Sequence, residues 1–359
     1  MSDKIKISYE DLQNPKIDEV LTQESSFRRG MGSKGDIGET TRVSFIHKSW
    51  FYLLLAGLIG ALIAWGVTEP YLGDTVEDEQ STAIALLMLL SMGGLVGLMV
   101  GSMEGILARN FSRSVKSGLI GLLIGFGGGI ASIIIAGIVA QIIIPIGVAI
   151  VGAEAAQDPA HNFAGFILIV IVRSLIWTVL GMTVGLGPGI ALKAKKLVLN
   201  GFIGGMIGGM IGGLLFDPIN YFVSGGTMDT GVEISRAIGL GVIGATTGFM
   251  IGIVEMLTKD AWLLMTEGPL KGKQFIVYKN PTRIGSSPSC EIYLFKDPSI
   301  EPFHANIHIV RDGYLLEDNH SPDGTMVNDQ KITNRHLRNG DVIQIGKAKF
   351  IYSEKEKKS

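Results

Sequence analysis

Gly201-Phe202-Ile203-Gly204-Gly205-Met206-Ile207-Gly208-Gly209-Met210-Ile211-Gly212-Gly213 carries no charge, and its glycines recur every four residues. On a helix that spacing lines the glycines along one face and leaves the face almost bare backbone. Neighbouring helix axes can then approach closely, so that dispersion and weak Cα–H contacts accumulate where lipid offers no hydrophobic gain. The run reads as a glycine zipper that packs helices together. The alternative is a face lining a pore or substrate path. The same bare faces also offer a surface for self-association.

Outward from this run the chain stays apolar. It has 359 residues, 49 of them glycine, and a mean hydropathy of +0.37. Crossing roughly 30 Å of hydrocarbon takes about 20 helical residues, and six stretches are long enough. They fall at Trp50 to Val67, Thr82 to Ala108, Gly118 to Val151, Phe163 to Leu192, Leu199 to Phe222 and Val232 to Leu257. The third exceeds a straight span and contains Gly127, Gly128, Gly129 and Pro145, which predicts a kink, a strong tilt or an interfacial end. The first 25 residues are polar and lack an apolar core, so no cleavable signal peptide is expected. The net charge of -2 averages over water and lipid and says little about partners.

Orientation follows from the basic residues, because short basic loops stay on the cytoplasmic side. Arg28, Arg29, Lys34, Arg42 and Lys48 precede the first span. Arg109, Arg113 and Lys116 separate spans two and three, Lys193, Lys195 and Lys196 separate four and five, and Lys259, Lys271 and Lys273 follow the sixth. The alternate loops are acidic: Glu69, Asp74, Glu77, Asp78 and Glu79 in the first, Glu154 and Asp158 in the second, Asp217, Asp229 and Glu233 in the third. Both termini are therefore expected in the cytosol, on a multi-pass protein of the plasma membrane.

The spans also repeat. Gly97, Gly101, Gly105 and Arg109 lead through a basic loop to Gly118 and Gly121, as Gly181, Gly185, Gly189 and Lys193 lead to Gly201 and Gly204. Gly244, Gly248 and Gly252, followed by Glu255, are a weaker echo, and Glu69-Pro70 matches Asp217-Pro218. Three copies of a two-helix unit in one orientation predict a compact bundle with pseudo-threefold character.

Charge inside a span is expensive and raises the expectation of function. Arg173, about ten residues into the fourth span, is the candidate intramembrane functional charge. Glu104 and Glu255 lie near cytosolic ends and could pair with Arg109, Lys193 or Lys259. Arg236, beside Glu233, reads as an interfacial anchor. The single cysteine, Cys290, reads as a buried thiol. No metal-ligand set, catalytic constellation or phosphate loop is present, so neither an enzyme nor a cofactor is expected, nor is a nucleic-acid partner. Membrane lipid is the expected surrounding.

After Lys259 the pattern changes to short alternating runs between turns, which predicts an antiparallel sandwich. Candidate strands are Trp262 to Thr266, Gln274 to Tyr278, Thr282 to Ile284, Glu291 to Leu294, Ala305 to Val310, Tyr314 to Glu317, Thr325 to Val327, Val342 to Ile345 and Lys349 to Tyr352. Turns carry Gly272, Asn280-Pro281, Asp312-Gly313, Asp323-Gly324 and Asn339-Gly340-Asp341.

Within residues 261 to 353, Arg283 to Ile292, Asp297-Pro298-Ser299-Ile300 through His304-Ala305, Ser321 to Asn328 and Leu337 to Asp341 follow in an order that resembles the forkhead-associated domain. The resemblance implies a β-sandwich whose apical loops bind phosphothreonine peptides. In the family an arginine, a serine and a second hydroxyl hold the phosphate, and an asparagine fixes the peptide backbone. Carried over position by position, the arginine is here Ser286, followed by Ser287; the serine is Glu301; the second hydroxyl is Pro322; and the asparagine is Asp323. A phosphate near charge -2 would meet two carboxylates and no guanidinium, the reverse of the pairing it requires. Gly285, His304, Gly324, Thr325 and Asn328 are retained as architecture, with His304 a hydrogen-bonded loop clamp and Ser299 its neighbour. Arg283 could reach the apical surface or face the barrel side.

The expected organisation is a cytosolic tail (1–48), a six-helix transmembrane domain (49–258), a forkhead-associated domain (259–355) and a short tail (356–359). The expected function is a membrane-anchored interaction module that recruits a cytosolic or membrane protein without phosphate. The alternative is a transporter or channel regulated by its cytosolic domain. Glu39-Thr40-Thr41 resembles the acidic-threonine sites that regulate some bacterial members of the family; its plain reading is a solvated linker.

Overall fold

The computed structural model describes residues 48–71, 78–152, 162–223 and 233–355. The tail with Thr40 and Thr41, the loop acids Asp74, Glu77, Glu154, Asp158 and Asp229, and residues 356–359 lie outside the described residues.

Among the described residues six long apolar helices precede the strands: α1 (Ser49–Thr68), α2 (Asp78–Leu107), α3 (Phe111–Val151), α4 (Phe163–Ala191), α5 (Lys195–Val223) and α6 (Glu233–Thr258). Each contains a segment long and apolar enough to cross a membrane. A 3-10 turn, Glu69–Tyr71, continues α1. Helices α3 and α5 start earlier than the apolar runs, inside the basic loops. Asn110 caps α3, its side chain accepting a hydrogen bond from the Arg113 amide at 3.0 Å, which satisfies a free donor of the first turn. Asp78 and Glu79, expected in a loop, open α2, and Asp217, likewise expected in a loop, is buried inside α5. Helix α3 runs unbroken through Gly127–Gly129 and Pro145 for 41 residues. At 1.5 Å per residue that is about 60 Å, roughly twice the hydrocarbon thickness.

The glycines determine how these helices pair. A methyl group added at Gly97 would collide with the carbonyl of Gly121, one at Gly93 with that of Gly125, and one at Gly101 with Ser117. Gly181 and Gly185 meet Gly205 and Gly201 in the same way, and Gly244 and Gly248 meet Gly57 and Leu53. The close antiparallel pairs are therefore α2–α3, α4–α5 and α6–α1. The repeat unit is an even helix followed by the next odd one, and its third copy is completed by α1 from the other end of the bundle. Gly204, Gly208 and Gly212 turn the second face of α5 to α6, against Ile251, Thr247 and Ile243. The bare faces expected to serve self-association are thus covered within one chain. Each helix touches the next, and α6 closes on α1.

The register extends to the charges. Arg173 stands eight residues before Gly181, and Arg236 eight before Gly244; Asp217 stands twelve after Gly205, and Glu69 twelve after Gly57. Arg173 pairs with Asp217 and Arg236 with Glu69, so two copies carry the same far-end ion pair. The equivalent positions of the α2–α3 copy are Leu89 and Ile133.

Helix α6 ends at Thr258 and β1 begins at Ala261. Eleven strands form two sheets, in the orders β2-β1-β11-β10-β7-β8 and β4-β3-β5-β6-β9. Strands β1 (Ala261–Glu267), β2 (Gln274–Ile276), β3 (Thr282–Gly285), β4 (Ile292–Tyr293), β5 (Ala305–Val310), β6 (Gly313–Asp318), β7 (Thr325–Val327), β10 (Val342–Ile345) and β11 (Ala348–Glu354) follow the alternating runs. Two strands, β8 (Gln330–Ile332) and β9 (Asn334–His336), were not expected. Their residues are mostly exposed and polar, so no apolar alternation marks them. Leu263, Ile284, Ile307, Leu316, Ile343 and Phe350 fill the core between the sheets.

Candidate peptide-binding site

Three loops at one end of the sandwich are drawn together by a buried polar cluster. His304 closes the β4–β5 loop and is fully buried. Its Nδ1 lies 3.3 Å from the Glu301 amide, its Nε2 3.0 Å from Ser321 Oγ and 3.4 Å from the Gly324 carbonyl. One imidazole ring therefore contacts both the β4–β5 and the β6–β7 loops. Asp318, at the end of β6, accepts from Ser321 Oγ at 2.6 Å and from Thr325 Oγ1 at 2.7 Å. Burial raises its carboxyl, but these donors outweigh burial and hold it below the ordinary aspartate range. Neither Asp318 nor Ser321 was singled out from sequence; the signal was an Asp-x-x-Ser spacing ahead of the turn at Gly324.

The β3–β4 loop joins through main chain. Ser286 N–H donates to the Glu301 carbonyl at 2.9 Å and Ser287 N–H to that of Pro302 at 3.1 Å. Gly285 has to be glycine, since a side chain there would strike the Pro302 carbonyl. Gly324 has φ +75°, and the alkyl chain of Lys331 covers the place a side chain would take. Cys290 is buried, which pushes its thiol up to about 11. The Ser299 hydroxyl donates to Asp297, two residues back, at 2.7 Å. Asn328 stands apart, at the β7–β8 turn with φ 51°, donating to Asp341 at 2.8 Å and accepting from the Val342 amide at 2.9 Å.

Glu301, Pro302, Phe303, Pro322 and Asp323 are all exposed. Arg283 reaches this region, with its guanidinium 5.9 Å from the Phe303 ring centre, but it is held by Glu291 at 3.0–3.1 Å and by the Ser289 carbonyl at 2.8 Å. Lys279 shares Glu291 at 2.7 Å. The Lys331 ammonium lies 3.4 Å from the Pro322 carbonyl.

The β3–β4 loop is also tied to the helices. Asn110 donates to the Pro288 carbonyl at 2.7 Å, and the Arg113 guanidinium donates to the carbonyls of Glu291, at 3.0 Å, and Cys290. Glu104 pairs with Lys273 at 3.1 Å rather than with Arg109, Lys193 or Lys259, and Lys196 pairs with Asp260. Glu255 accepts from Ser49 Oγ at 3.3 Å. Arg236, expected beside Glu233, forks both oxygens of Glu69. Arg173 meets one oxygen of Asp217. Arg173, the candidate intramembrane charge, is thus paired, at one of two equivalent positions.

Residues 264–356 match the family model described as the cytoplasmic domain of the inner membrane component of T3SS. The oxoglutarate dehydrogenase inhibitor of Corynebacterium jeikeium is 32% identical over 101 residues, 28% of this chain and 69% of that protein. The chain belongs to the forkhead-associated family. The glycogen accumulation regulator GarA of Mycolicibacterium smegmatis is 29% identical over 107 residues, 30% of this chain and 67% of that protein. A crystal structure of a forkhead-associated domain from Chlamydia trachomatis is 27% identical and covers 27% of this chain and 99% of that one, with a TM-score of 0.25. The forkhead-associated likeness is thus confined to under a third of the chain. Forkhead-associated domains are interaction modules rather than enzymes.

Proposed function

We propose that this forkhead-associated protein is a membrane-fixed adaptor whose β domain recruits a protein segment without phosphate. The observation that carries it is the exposure of Glu301 and Asp323 where phosphopeptide-binding members of the family present a hydroxyl and an amide. A phosphate brought there meets two carboxylates, while the neighbouring guanidinium of Arg283 is already committed to Glu291. The ties from Asn110, Arg113 and Glu104 favour a domain held against the bundle. The basic end of the bundle, where this domain attaches, is then cytosolic, with both termini on that side of the plasma membrane. The division into tail (1–48), helical domain (49–258), forkhead-associated domain (259–355) and end (356–359) is part of this reading.

An anchoring role for the helices, rather than transport, is supported by the twin of the Arg173–Asp217 pair at Arg236–Glu69, which makes both a means of holding helix ends.

The test uses the full chain in nanodiscs, titrated with a phosphothreonine peptide and its unmodified form. Wild type is expected to show no preference for phosphate. A variant combining Ser286→Arg, Glu301→Ser, Pro322→Ser and Asp323→Asn is expected to acquire one. Tighter binding of the phosphorylated peptide by wild type would end the phosphate-free reading.

A further inference from the structure

Four successive carbonyls of the β3–β4 loop, from Pro288 to Glu291, each accept from a side chain. That of Ser289 takes Arg283 at 2.8 Å, from within the sandwich, and the other three are met from the start of α3. Asn110 Nδ2 donates to Pro288 at 2.7 Å, and the Arg113 guanidinium spans Cys290 and, at 3.0 Å, Glu291. Cys290 carries the contact onward: it is buried, and its thiol donates to the Pro302 carbonyl of the β4–β5 loop at 3.2 Å. The amides of Ser286 and Ser287 tie the same two loops. On the bundle side, Ser114 Oγ donates to the Ser102 carbonyl of α2 at 3.1 Å, and Ser114 lies against Gly105. A continuous line of contacts therefore runs from the α2–α3 zipper to the peptide face.

The α4–α5 copy shows that the bundle does not need these side chains. Its turn has the same backbone: Arg109 and Lys193 have φ 51° and 53°, and the next amides, of Asn110 and Ala194, donate to Gly105 at 2.8 Å and to Gly189 at 3.0 Å. Where the first copy has Asn110 and Arg113, the second has Ala194 and Leu197, which carry no side-chain donor. Val198 replaces Ser114 and lies against Gly189 in the same way. The turn closes with either set, so the donors at 110 and 113 serve the β domain.

We propose that the turn joining α2 to α3 is a clasp on the β3–β4 loop, through which the packing of α2 against α3 and the shape of the peptide face control each other. This rests on the reading of that face above and adds its regulation. The link is carried by hydrogen bonds and close packing in unbroken succession, which is the physical form that coupling between separate sites takes. Because such coupling is reciprocal, a segment seated on the loops acts on one zipper of the three, and a change in that zipper acts on the segment's affinity. The α4–α5 turn reaches the β domain only at Asp260, ahead of β1, and has no hold on the loops.

Cys290 is the single cysteine, so its labelling by a small thiol reagent reports opening of the loop in the full chain in zwitterionic nanodiscs, with no peptide needed. Asn110→Asp keeps an acceptor to cap α3 and loses the donor to Pro288. Arg113→Lys keeps the charge and loses the fork. Each should raise the labelling rate several-fold and speed exchange of the Glu301 amide, which faces His304, while the helices keep their protection. Lys196→Ala, which cuts the tie to Asp260, should do neither. Gly97→Ala and Gly181→Ala wedge the two zippers alike, against the carbonyls of Gly121 and Gly205, and only the first should raise labelling of Cys290. Ser114→Ala, which releases Ser102 at no steric cost, should move labelling in the same direction. Unchanged labelling in both clasp variants, or an equal response to Gly97→Ala and Gly181→Ala, overturns the proposal. A response to the clasp variants with none to Gly97→Ala or Ser114→Ala overturns it as well, since the loop would then be held without being linked to the zipper. None of these results bears on phosphate preference, which the peptide titration decides separately.

Discussion

Glu291 shows how one carboxylate organises the β3–β4 loop. It accepts from the Arg283 amide at 2.9 Å, from the Arg283 guanidinium and from Lys279. Burial raises its carboxyl, but these donors outweigh burial and hold it down at about 2 against an ordinary 4.5. A carboxyl depressed in the folded state stabilises the fold above its unfolded pKa, and that stabilisation is lost as pH falls through the folded value. Domain stability is therefore expected to be level near neutrality and to fall between about pH 4.5 and 2. Asp297 and Asp318, both lowered by hydrogen bonds in spite of burial, add to the same trend. Denaturant titrations across that range should show a shallower acid slope for Glu291→Gln; an identical slope would remove Glu291 from the account. The motif order marked His304 as a loop residue, but its partners Ser321 and Gly324 lie 17 and 20 residues on, beyond the reach of a local pattern. It did not reveal that Glu291 occupies Arg283, since that contact closes an eight-residue loop whose path no local pattern encodes.

At the scale of helices and strands, glycine spacing was a reliable guide to which faces meet. The pairing partner was harder to read, because glycines on two faces of α5 serve α4 and α6 separately. A methyl at Gly205 would strike the Gly181 carbonyl, while one at Gly127 meets nothing within 4 Å. Gly205→Ala should therefore lower the melting temperature in detergent by several degrees, and Gly127→Ala should leave it unchanged. Equal melting of the two would mean that the α4–α5 contact is looser than described. The far-end ion pair gives a second test. Arg236 and Glu69 are 14% and 10% exposed, and removing one partner of a buried pair costs about 3–5 kcal/mol because the other is left uncompensated. Arg236→Ala should be strongly destabilising, and Arg236→Met combined with Glu69→Leu should recover most of the loss. Without that recovery, the pair would be shown to do more than hold α6 to α1. Strands β8 and β9 were illegible for a different reason: they sit at sheet edges, and edge strands exposed on both faces need no apolar period.

On the scale of the whole molecule, the β domain and the helices are linked through polar contacts on the α2–α3 connection. Arg113 stands next to Ser114, which lies against Gly105, and its guanidinium holds the β3–β4 loop. Replacing Arg113 and Asn110 together by alanine should speed amide exchange across residues 286–291 while the helices, apart from the first turn of α3 that Asn110 caps, keep their protection. Unchanged exchange in that loop would show that the sandwich orders it unaided. The pairing of α6 with α1 has one more consequence. The first and last helices of the bundle are each other's zipper partners, so the ring has no privileged point of entry. A circular permutant of the helical region that begins at α2 and ends at α1 contains the same three zipped hairpins, now all contiguous in the chain, and the point where nature cuts the circle decides which helix end is left to carry the β domain.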